Sequence, residues 1–498
     1  MAKATFAGGR RGRKSQDWSQ QQLAVFTWFK QERAPHLVVR ARAGVGKTTT
    51  IIEGINCAPE QNILLCAFNK RIAEELNTRI ANEQAQVRTL HALGYAAIRQ
   101  RYGHCRVEST RADDLTRRAC PKDTPRQIQR LVSLLHTKAR DMLGRVPSAP
   151  ELTRLALFFD YVPDEHWRDY DLDWVVVRAI NAMQLARDGE PDSVDFADMI
   201  YLPLVQGLLT PLYDLVVVDE AQDMTMAQLE MAQRSLQKGG RICIVGDDRQ
   251  AIYGFRGADS QSIDRLKTEL QAAELPLTMT YRCGQAIVER AQRLVPDIQA
   301  GPSNPPGEIV ELTLDEVLTE ARPGDFVLSR LNAPLVSLTL AYLRQGKRAR
   351  MAGRDIGAGL IAVLRKIHCT EFETADQIVQ KVRAWEIKTI SRAMAYGQPD
   401  QADRARDQAA TIYALLDGLA TWQELLQRCT ELFVDDPDAQ TILCSTVHKA
   451  KGLEADRVYI LQETLYRRGV TPEEQNIEYV AITRAKRTLG VVRSCGRE

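Results

Sequence analysis

Eight short runs dominated by Val, Ile, Leu and Ala, each four to six residues long, punctuate this chain. They occupy residues 36–41, 62–67, 215–218 and 241–245, then 325–329, 441–445, 457–461 and 488–492. Runs this short and this continuously apolar suit strands buried on both faces, the condition of a parallel sheet. Helical patterns separate them, and parallel strands alternating with helices build a doubly wound α/β sheet. The runs fall into an early and a late set, so the predicted fold class is α/β with two parallel-sheet domains. Two stretches break the alternation. Residues 97–192 and 356–438 are charged and helix-patterned, the second with the Ala-rich segment 402–419, and each lies inside one of the sets. The predicted layout is a tail over 1–14, a first core over 15–96 and 193–279 with a helical insertion over 97–192, and a second core over 280–355 and 439–498 with a short helical insertion over 356–438. Residues 301–307, with three prolines, are predicted as a loop.

Composition narrows the classes. A chain of 498 residues with 44% hydrophobic content has room for large buried cores and is neither fibrous nor globally disordered. A net charge of +2 excludes a uniformly basic nucleic-acid coat. The distribution is uneven, because Lys3, Arg10, Arg11, Arg13 and Lys14 load the first 14 residues with no acid among them. This opening reads as a flexible basic tail, either attracted to phosphates or simply keeping the terminus solvated. There is no apolar run of the length a membrane span requires and no apolar signal-peptide core at the N-terminus. The ten cysteines are scattered without a C-x-x-C pair, and the seven histidines are dispersed. They point to reduced thiols in a cytoplasmic protein rather than to a metal site.

The chemistry begins after the first run. Ala41-Arg42-Ala43-Gly44-Val45-Gly46-Lys47-Thr48 joins a predicted strand to a predicted helix, the context of a phosphate-binding loop, although Ala41 stands where the general pattern has its first glycine. Gly44 and Gly46 let backbone N–H groups wrap phosphates, and the helix N-terminus adds partial positive charge. Ala43, Gly44, Val45, Gly46, Lys47, Thr48 and Thr49 are the candidate ATP contacts, with Lys47 reaching the β- and γ-phosphates and Thr48 holding Mg²⁺. The run at 215–218 ends in Asp219 and Glu220. Asp219 at a strand tip suits the Mg²⁺ shell, and Glu220 beside it suits a base that orients and deprotonates water. The run at 241–245 leads into Gly246-Asp247-Asp248-Arg249-Gln250, where Gln250 is either a γ-phosphate sensor or a loop residue.

Taken together, these segments resemble the UvrD/Rep/PcrA group of superfamily one DNA helicases, and further motifs occur in that family's order across both cores. Ser19-Gln20-Gln21-Gln22 resembles the adenine-reading motif, with Gln22 as the reader. Cys66-Ala67-Phe68-Asn69-Lys70 and Thr89-Leu90-His91 resemble segments that contact single-stranded DNA, implicating Phe68, Asn69, Lys70, Thr89 and His91. Residues 193–198 resemble the segment where the chain re-enters the first core. Residues 245–258 resemble the motif joining Gln250, as sensor, to base-stacking Tyr253 and Phe255 and to Arg256; family members often carry Trp at the Phe255 position. Thr280-Tyr281-Arg282-Cys283 resembles the opening of the second core, which implies Tyr281 packing on adenine and Arg282 on the γ-phosphate. Arg330 and Asn332 match a second-core DNA contact. The segment 446–454 matches a motif touching DNA through His448 and Lys449 and nucleotide through Gly452 and Glu454. Tyr479-Val480-Ala481-Ile482-Thr483-Arg484-Ala485 matches the last motif, with Arg484 as a second arginine finger.

The resemblance implies two RecA-like motor domains, ATP and Mg²⁺ as cofactors, and DNA-dependent ATP hydrolysis between the domains. It also implies 3′→5′ travel on single-stranded DNA or at single/double-strand junctions. A monomer, in a bacterial, phage or nucleoid context with partners in repair or replication, is expected. The short second insertion leaves open a translocase that needs a partner to unwind, and a nucleotide-switched DNA clamp and an RNA-directed motor remain as further alternatives.

Overall fold

The computed structural model describes residues 18–163, 167, 169–252, 262–434, 440–466 and 469–493. Two parallel sheets organise it. The first contains β1 (Leu37–Ala41), β2 (Ile63–Ala67), β3 (Ala85–Thr89), β4 (Tyr213–Val218), β5 (Leu236–Gly246) and β6 (Ala273–Leu277). Their spatial order is β3-β2-β4-β5-β1-β6. Val38 lies opposite Ile244, and Leu64 opposite Val216. Helices cover both faces, which is why the four inner strands are mostly apolar where they are buried, although β5 begins with a polar stretch over residues 237–241.

The second sheet contains β7 (Glu308–Thr313), β8 (Phe326–Ser329), β9 (Ala349–Ala352), β10 (Phe433–Val434), β11 (Ile442–Thr446), β12 (Ala455–Leu461) and β13 (Ala485–Arg493). Their order is β7-β13-β12-β8-β11-β9-β10, again parallel throughout. The chain is therefore α/β with two RecA-like sheets. All strands of each sheet point one way, so their C-terminal ends share one edge, where a doubly wound sheet gathers its ligand-binding loops.

The insertions differ in how they are built. Helices Arg111–Ala119, Arg126–Leu143, Ala149–Phe159 and Leu172–Asp188 form their own core around Leu115, Val132, Leu135, Val175 and Met183. The parallel pair Arg106–Val107 and Ser193–Val194 closes this unit where the chain leaves and returns. By contrast, among the described residues helices Arg354–Lys366, Ala375–Ala395, Pro399–Leu416 and Trp422–Leu432 pack into the core of the second sheet. Ile412, Leu425 and Phe433 belong to one apolar cluster with Val327, Met351 and Tyr459. The chain then returns to the sheet edge as β10.

The loop over residues 301–307 is pinned from inside: the buried Asn304 amide donates to the carbonyls of Thr280 (2.9 Å) and Cys283 (2.8 Å). The described cysteines are free thiols, and all but Cys57 are buried. Among the described residues, no helix is long and apolar enough to cross a membrane.

Candidate nucleotide site and nucleic-acid track

β1 ends at Ala41, and the chain turns through Gly44 (φ +70°) and Gly46 (φ +77°) into the helix Lys47–Asn56. Both glycines use the left-handed region that side chains disfavour. At Gly44 space is also closed, since a Cβ there would lie 2.6 Å from Arg282 Cβ and from Thr280 Oγ1. The Tyr281 N–H donates to the Gly44 carbonyl at 2.9 Å, and the Ala43 N–H donates to the Tyr479 hydroxyl at 3.0 Å. The loop thus sits against residues carried by the second sheet. Val45 is buried beneath it, and the Thr49 hydroxyl accepts from Arg79 at 3.3 Å. The Gln22 amide donates to Thr50 Oγ1 on the same helix (3.1 Å), while its oxygen accepts from the Ser19 N–H (3.0 Å). Its side chain therefore fastens its own helix start to the phosphate-loop helix.

The tip of β4 faces this loop. Lys47 Nζ pairs with Glu220 Oε2 at 2.9 Å, and Thr48 Oγ1 donates to Asp219 Oδ2 at 3.3 Å. Burial and the neighbouring Glu220 push Asp219 up to about 7. Burial acts the same way on Glu220, but Lys47, Gln222 and Lys451 outweigh it and bring Glu220 down to about 2. Glu220 therefore keeps its charge, and its backbone adopts a left-handed φ of 52°. The Thr48 hydroxyl and Asp219 carboxylate are hard oxygen donors of the kind Mg²⁺ takes alongside phosphate oxygens, so this pair fits the ion. Among the described residues no cluster of three His, Cys, Asp or Glu could hold a metal by itself.

From β5 the chain continues into Asp247 and Gln250. Gln250 Nε2 donates to Asp247 Oδ2 at 2.7 Å, and both side chains are buried. Gln222, given no role from sequence, links this strand tip to the previous one. Its oxygen accepts from the Asp247 N–H (3.0 Å), and its amide donates to Glu220 Oε2 (2.6 Å).

The second body supplies cations and anchors. Arg282 Nε pairs with Glu454 Oε2 at 2.5 Å, Lys486 pairs with the other Glu454 oxygen at 2.6 Å, and Arg282 Nη1 donates to the Thr483 carbonyl at 3.3 Å. Arg484 is fully buried and donates to the carbonyls of Val480 (2.9 Å) and Leu453 (3.2 Å) and to Thr483 Oγ1 (3.2 Å). Burial, with Arg282 nearby, brings Arg484 down to about 10, so it remains a cation near neutrality. Tyr281 is 43% exposed, a free ring face beside the loop. Gly452 turns with φ +87° just before Glu454.

The same body grips the chain beyond Gln250. Lys451 Nζ donates to the Gln250 carbonyl (2.6 Å) and pairs with Asp223 (2.6 Å). Asn476 donates to the Ala251 carbonyl (3.2 Å), and His448 bonds to the Ile252 backbone. Burial and the nearby Arg330 push His448 down to about 3, leaving a neutral ring. Tyr253, Phe255 and Arg256, which follow directly, lie outside the described residues, as does the basic tail over 1–14.

The remaining nucleic-acid candidates sit on strand ends of the two sheets. Phe68 is 39% exposed just past β2. Asn69 caps the next helix by accepting from the Ile72 N–H (2.9 Å), and Lys70 extends into solvent within reach of Glu74 (3.7 Å). Thr89 caps the helix Leu90–Tyr102, and His91 lies edge-on to the exposed Phe196 ring at 6.1 Å. On the second sheet, Arg330 pairs with Glu474 (3.1 Å) and Lys449 with Asp355 (2.6 Å). The Asn332 amide and backbone N–H both donate to Asp407 on the second insertion.

Comparison with known proteins accords with this arrangement. The UvrD/REP helicase N-terminal domain family matches residues 18–271, just over half of the chain, and the UvrD-like helicase C-terminal domain family matches residues 371–494. F-box DNA helicase protein 1 of Schizosaccharomyces pombe is 24% identical over 526 residues, covering 91% of this chain and 55% of that protein. DNA helicase II of Escherichia coli is 25% identical over 289 residues, 52% of this chain and 38% of its own length. ATP-dependent DNA helicase Rep of Buchnera aphidicola is 24% identical over 301 residues, 54% and 44% respectively. The chain thus spans about half the length of the curated relatives it matches. With family matches running through both halves, and two parallel sheets packed on either side of the Gly44–Gly46 turn, the chain belongs to the UvrD/Rep family of DNA helicases.

Proposed function

We propose that this chain is an ATP-driven motor that hydrolyses ATP between its two sheets and uses the cycle to travel on single-stranded DNA, 3′→5′, opening duplex at junctions. One observation carries the reading: a loop, hydroxyl and acid pair on the first sheet is faced by Tyr281 and Arg282, and both bodies touch at that loop. In this reading the loop N–H groups and Lys47 bind the phosphates of ATP. Thr48 and Asp219 would hold Mg²⁺, which would supply neutralising charge at the transferred phosphoryl group. Lys47 leaves Glu220 for the phosphates, and the freed carboxylate takes a proton from the attacking water. Gln250 senses the γ-phosphate. Arg282 and Arg484 stabilise the transition state, a role worth about 10³–10⁵ in rate for an arginine finger.

Because those arginines belong to the second body, hydrolysis follows closure, and closure moves two grips on the strand. The first grip is Phe68, Asn69, Lys70, Thr89 and His91, with Tyr253, Phe255 and Arg256; the second is Arg330, Asn332, His448 and Lys449. Aromatic rings stack on any base, which makes the track tolerant of sequence. We propose that the chain works as a monomer in a DNA-containing compartment, with partners in repair or replication.

A second reading is favoured by the second insertion, which shares the core of its sheet: a translocase whose unwinding needs a partner. Single-stranded DNA is expected to stimulate the ATPase, and equal rates with and without DNA would remove the motor reading. Strand displacement on duplexes with 3′ or 5′ tails separates the two: displacement of the 3′-tailed duplex alone supports the helicase, and none on either supports the translocase.

A further inference from the structure

Arg42 occupies a point where the two bodies and the hydrolysis site meet. It directly follows β1, and its N–H donates to the Leu277 carbonyl on β6 at 2.8 Å, so its backbone moves with the first sheet. Its side chain is 7% exposed and spans three carboxylates. Nε lies 2.9 Å from both oxygens of Asp297, and Nη2 lies 2.8 Å from one of them. Nη1 donates to Asp248 at 2.8 Å and to Asp247 at 3.2 Å. Asp297 belongs to the other body, since the flanking Val295 and Ile298 are buried in one cluster with Ile460, Tyr479 and Leu489.

The far end of this contact leads to the chemistry. Asp247 receives Arg42 on Oδ1 and the Gln250 amide on Oδ2. Its N–H holds Gln222, whose amide holds Glu220. A chain of direct hydrogen bonds therefore runs from the second body to both the sensor and the base. A planar guanidinium presents donors fixed in a fork, two of which meet Asp297 side by side while a third serves Asp247 and Asp248; a lysine ammonium is a single point charge and cannot make that forked contact.

We infer that Arg42 is a positioning residue that couples the seating of the second body to the γ-phosphate end of the site, by joining Asp297 to the Asp247 carboxylate that holds Gln250. The inference rests on the proposed reading of Gln250 as sensor. Asp297 is 47% exposed, so its bond to Arg42 adds little to stability. It fixes instead where the guanidinium sits, and small misplacements near reacting groups cost large factors in rate.

The test uses the full chain with saturating single-stranded DNA, reading ATPase kcat, the Kd of a fluorescent ATP analogue, and the melting temperature. Asp297→Ala is expected to lower kcat about tenfold while leaving the Kd and melting temperature at their parent values. Asp297→Glu, which restores a carboxylate, is expected to recover most of the rate. Arg42→Lys, which keeps the charge and loses the fork, is expected to lower kcat as Asp297→Ala does. Parent-like kcat in Asp297→Ala would overturn the inference, as would a loss that appears only with a lowered melting temperature. Gln250→Ala separates the two levels. If that variant turns over at the parent rate, the sensor reading falls and this inference with it; if it is slow while Asp297→Ala is not, this inference alone falls.

Discussion

Glu220 concentrates the proposed chemistry in one residue. A non-glycine residue held at φ 52° costs about 1–3 kcal/mol and persists only where its surroundings determine it. Here Lys47, Gln222 and the Asp219 carboxylate, which accepts the Glu220 N–H at 2.9 Å, hold it in place. Glu220→Gln keeps the size and removes the basicity. It is expected to bind ATP and single-stranded DNA as the parent does and to lose about 10²–10⁴ in kcat, the range general-base catalysis supplies. Parent-like turnover in a steady-state ATPase assay would dismiss Glu220 as base. The two arginines differ in how they are held, and their variants should differ likewise. Arg282 is 20% exposed and bound by Glu454, so Arg282→Ala is expected to cut turnover about 10³-fold with an unchanged melting temperature. Arg484 is fully buried and serves the carbonyls of Leu453 and Val480. Arg484→Ala is therefore expected to lower both the rate and the melting temperature, because orphaned buried acceptors cost about 1–3 kcal/mol. A melting temperature unchanged in both variants would contradict that distinction. Glu220 was legible from its own context, the tip of a continuous apolar strand, whereas Arg282 and Arg484 were legible only through the resemblance. Their partners were not: Ala43 and Tyr479 are 436 residues apart, and nothing near Ala43 announces the hydroxyl it meets.

At the scale of elements, legibility followed burial. The buried stretches of the inner strands of the first sheet are mostly apolar and stand out in the sequence, whereas the polar start of β5 and the edge strands do not. β3 reads Ala-Gln-Val-Arg-Thr, and β6 carries Pro276, which an edge tolerates because one side needs no ladder hydrogen bond. β7, also at an edge, reads Glu-Ile-Val-Glu-Leu-Thr and lacks a continuous apolar run. The first insertion was visible as a helical stretch, but its attachment was hidden in scattered charges. Arg140, with no exposed side-chain surface, pairs with Asp195 (2.7 Å) and Asp198 (2.5 Å), and Arg111 pairs with Asp198 (3.2 Å). This cluster joins the helix Arg126–Leu143 to the segment carrying Phe196, while the neighbouring Asp141 lies 4.0 Å from His91. Removing one partner of a buried ion pair costs about 3–5 kcal/mol. Arg140→Met is accordingly expected to lower the melting temperature, speed amide exchange in that helix and weaken single-stranded DNA binding, with DNA-free ATPase retained. Unaltered exchange in the helix would show that the cluster does not anchor the insertion.

At the scale of the whole molecule, the two bodies meet on two sides. On the side of the proposed nucleotide site, Tyr479, Lys451, Asn476 and Asp297 reach across to the loop after β1 and the segment after β5. Away from it, the insertions themselves touch. Arg392 pairs with Asp160 at 2.5 Å, Lys366 approaches the same carboxylate at 3.7 Å, Gln401 donates to the Leu157 carbonyl at 3.0 Å, and the Arg404 guanidinium lies 5.0 Å from the Phe158 ring centroid. The helix that carries Gln401 and Arg404 also carries Asp407, which holds Asn332, so one helix spans from the first insertion to a proposed DNA contact on the second sheet. Separation of the bodies must break the insertion contact as well as the nucleotide-side one. Arg392→Glu sets like charges face to face at Asp160, leaving the nucleotide side untouched. The variant is expected to show a larger radius of gyration in solution scattering without nucleotide, the same Kd for ATP, and faster association with single-stranded DNA, since a loosened contact admits the strand more readily. A radius of gyration and an association rate both equal to the parent's would mean that the ion pair does not hold the insertions together, and that the nucleotide side alone sets how far the bodies part.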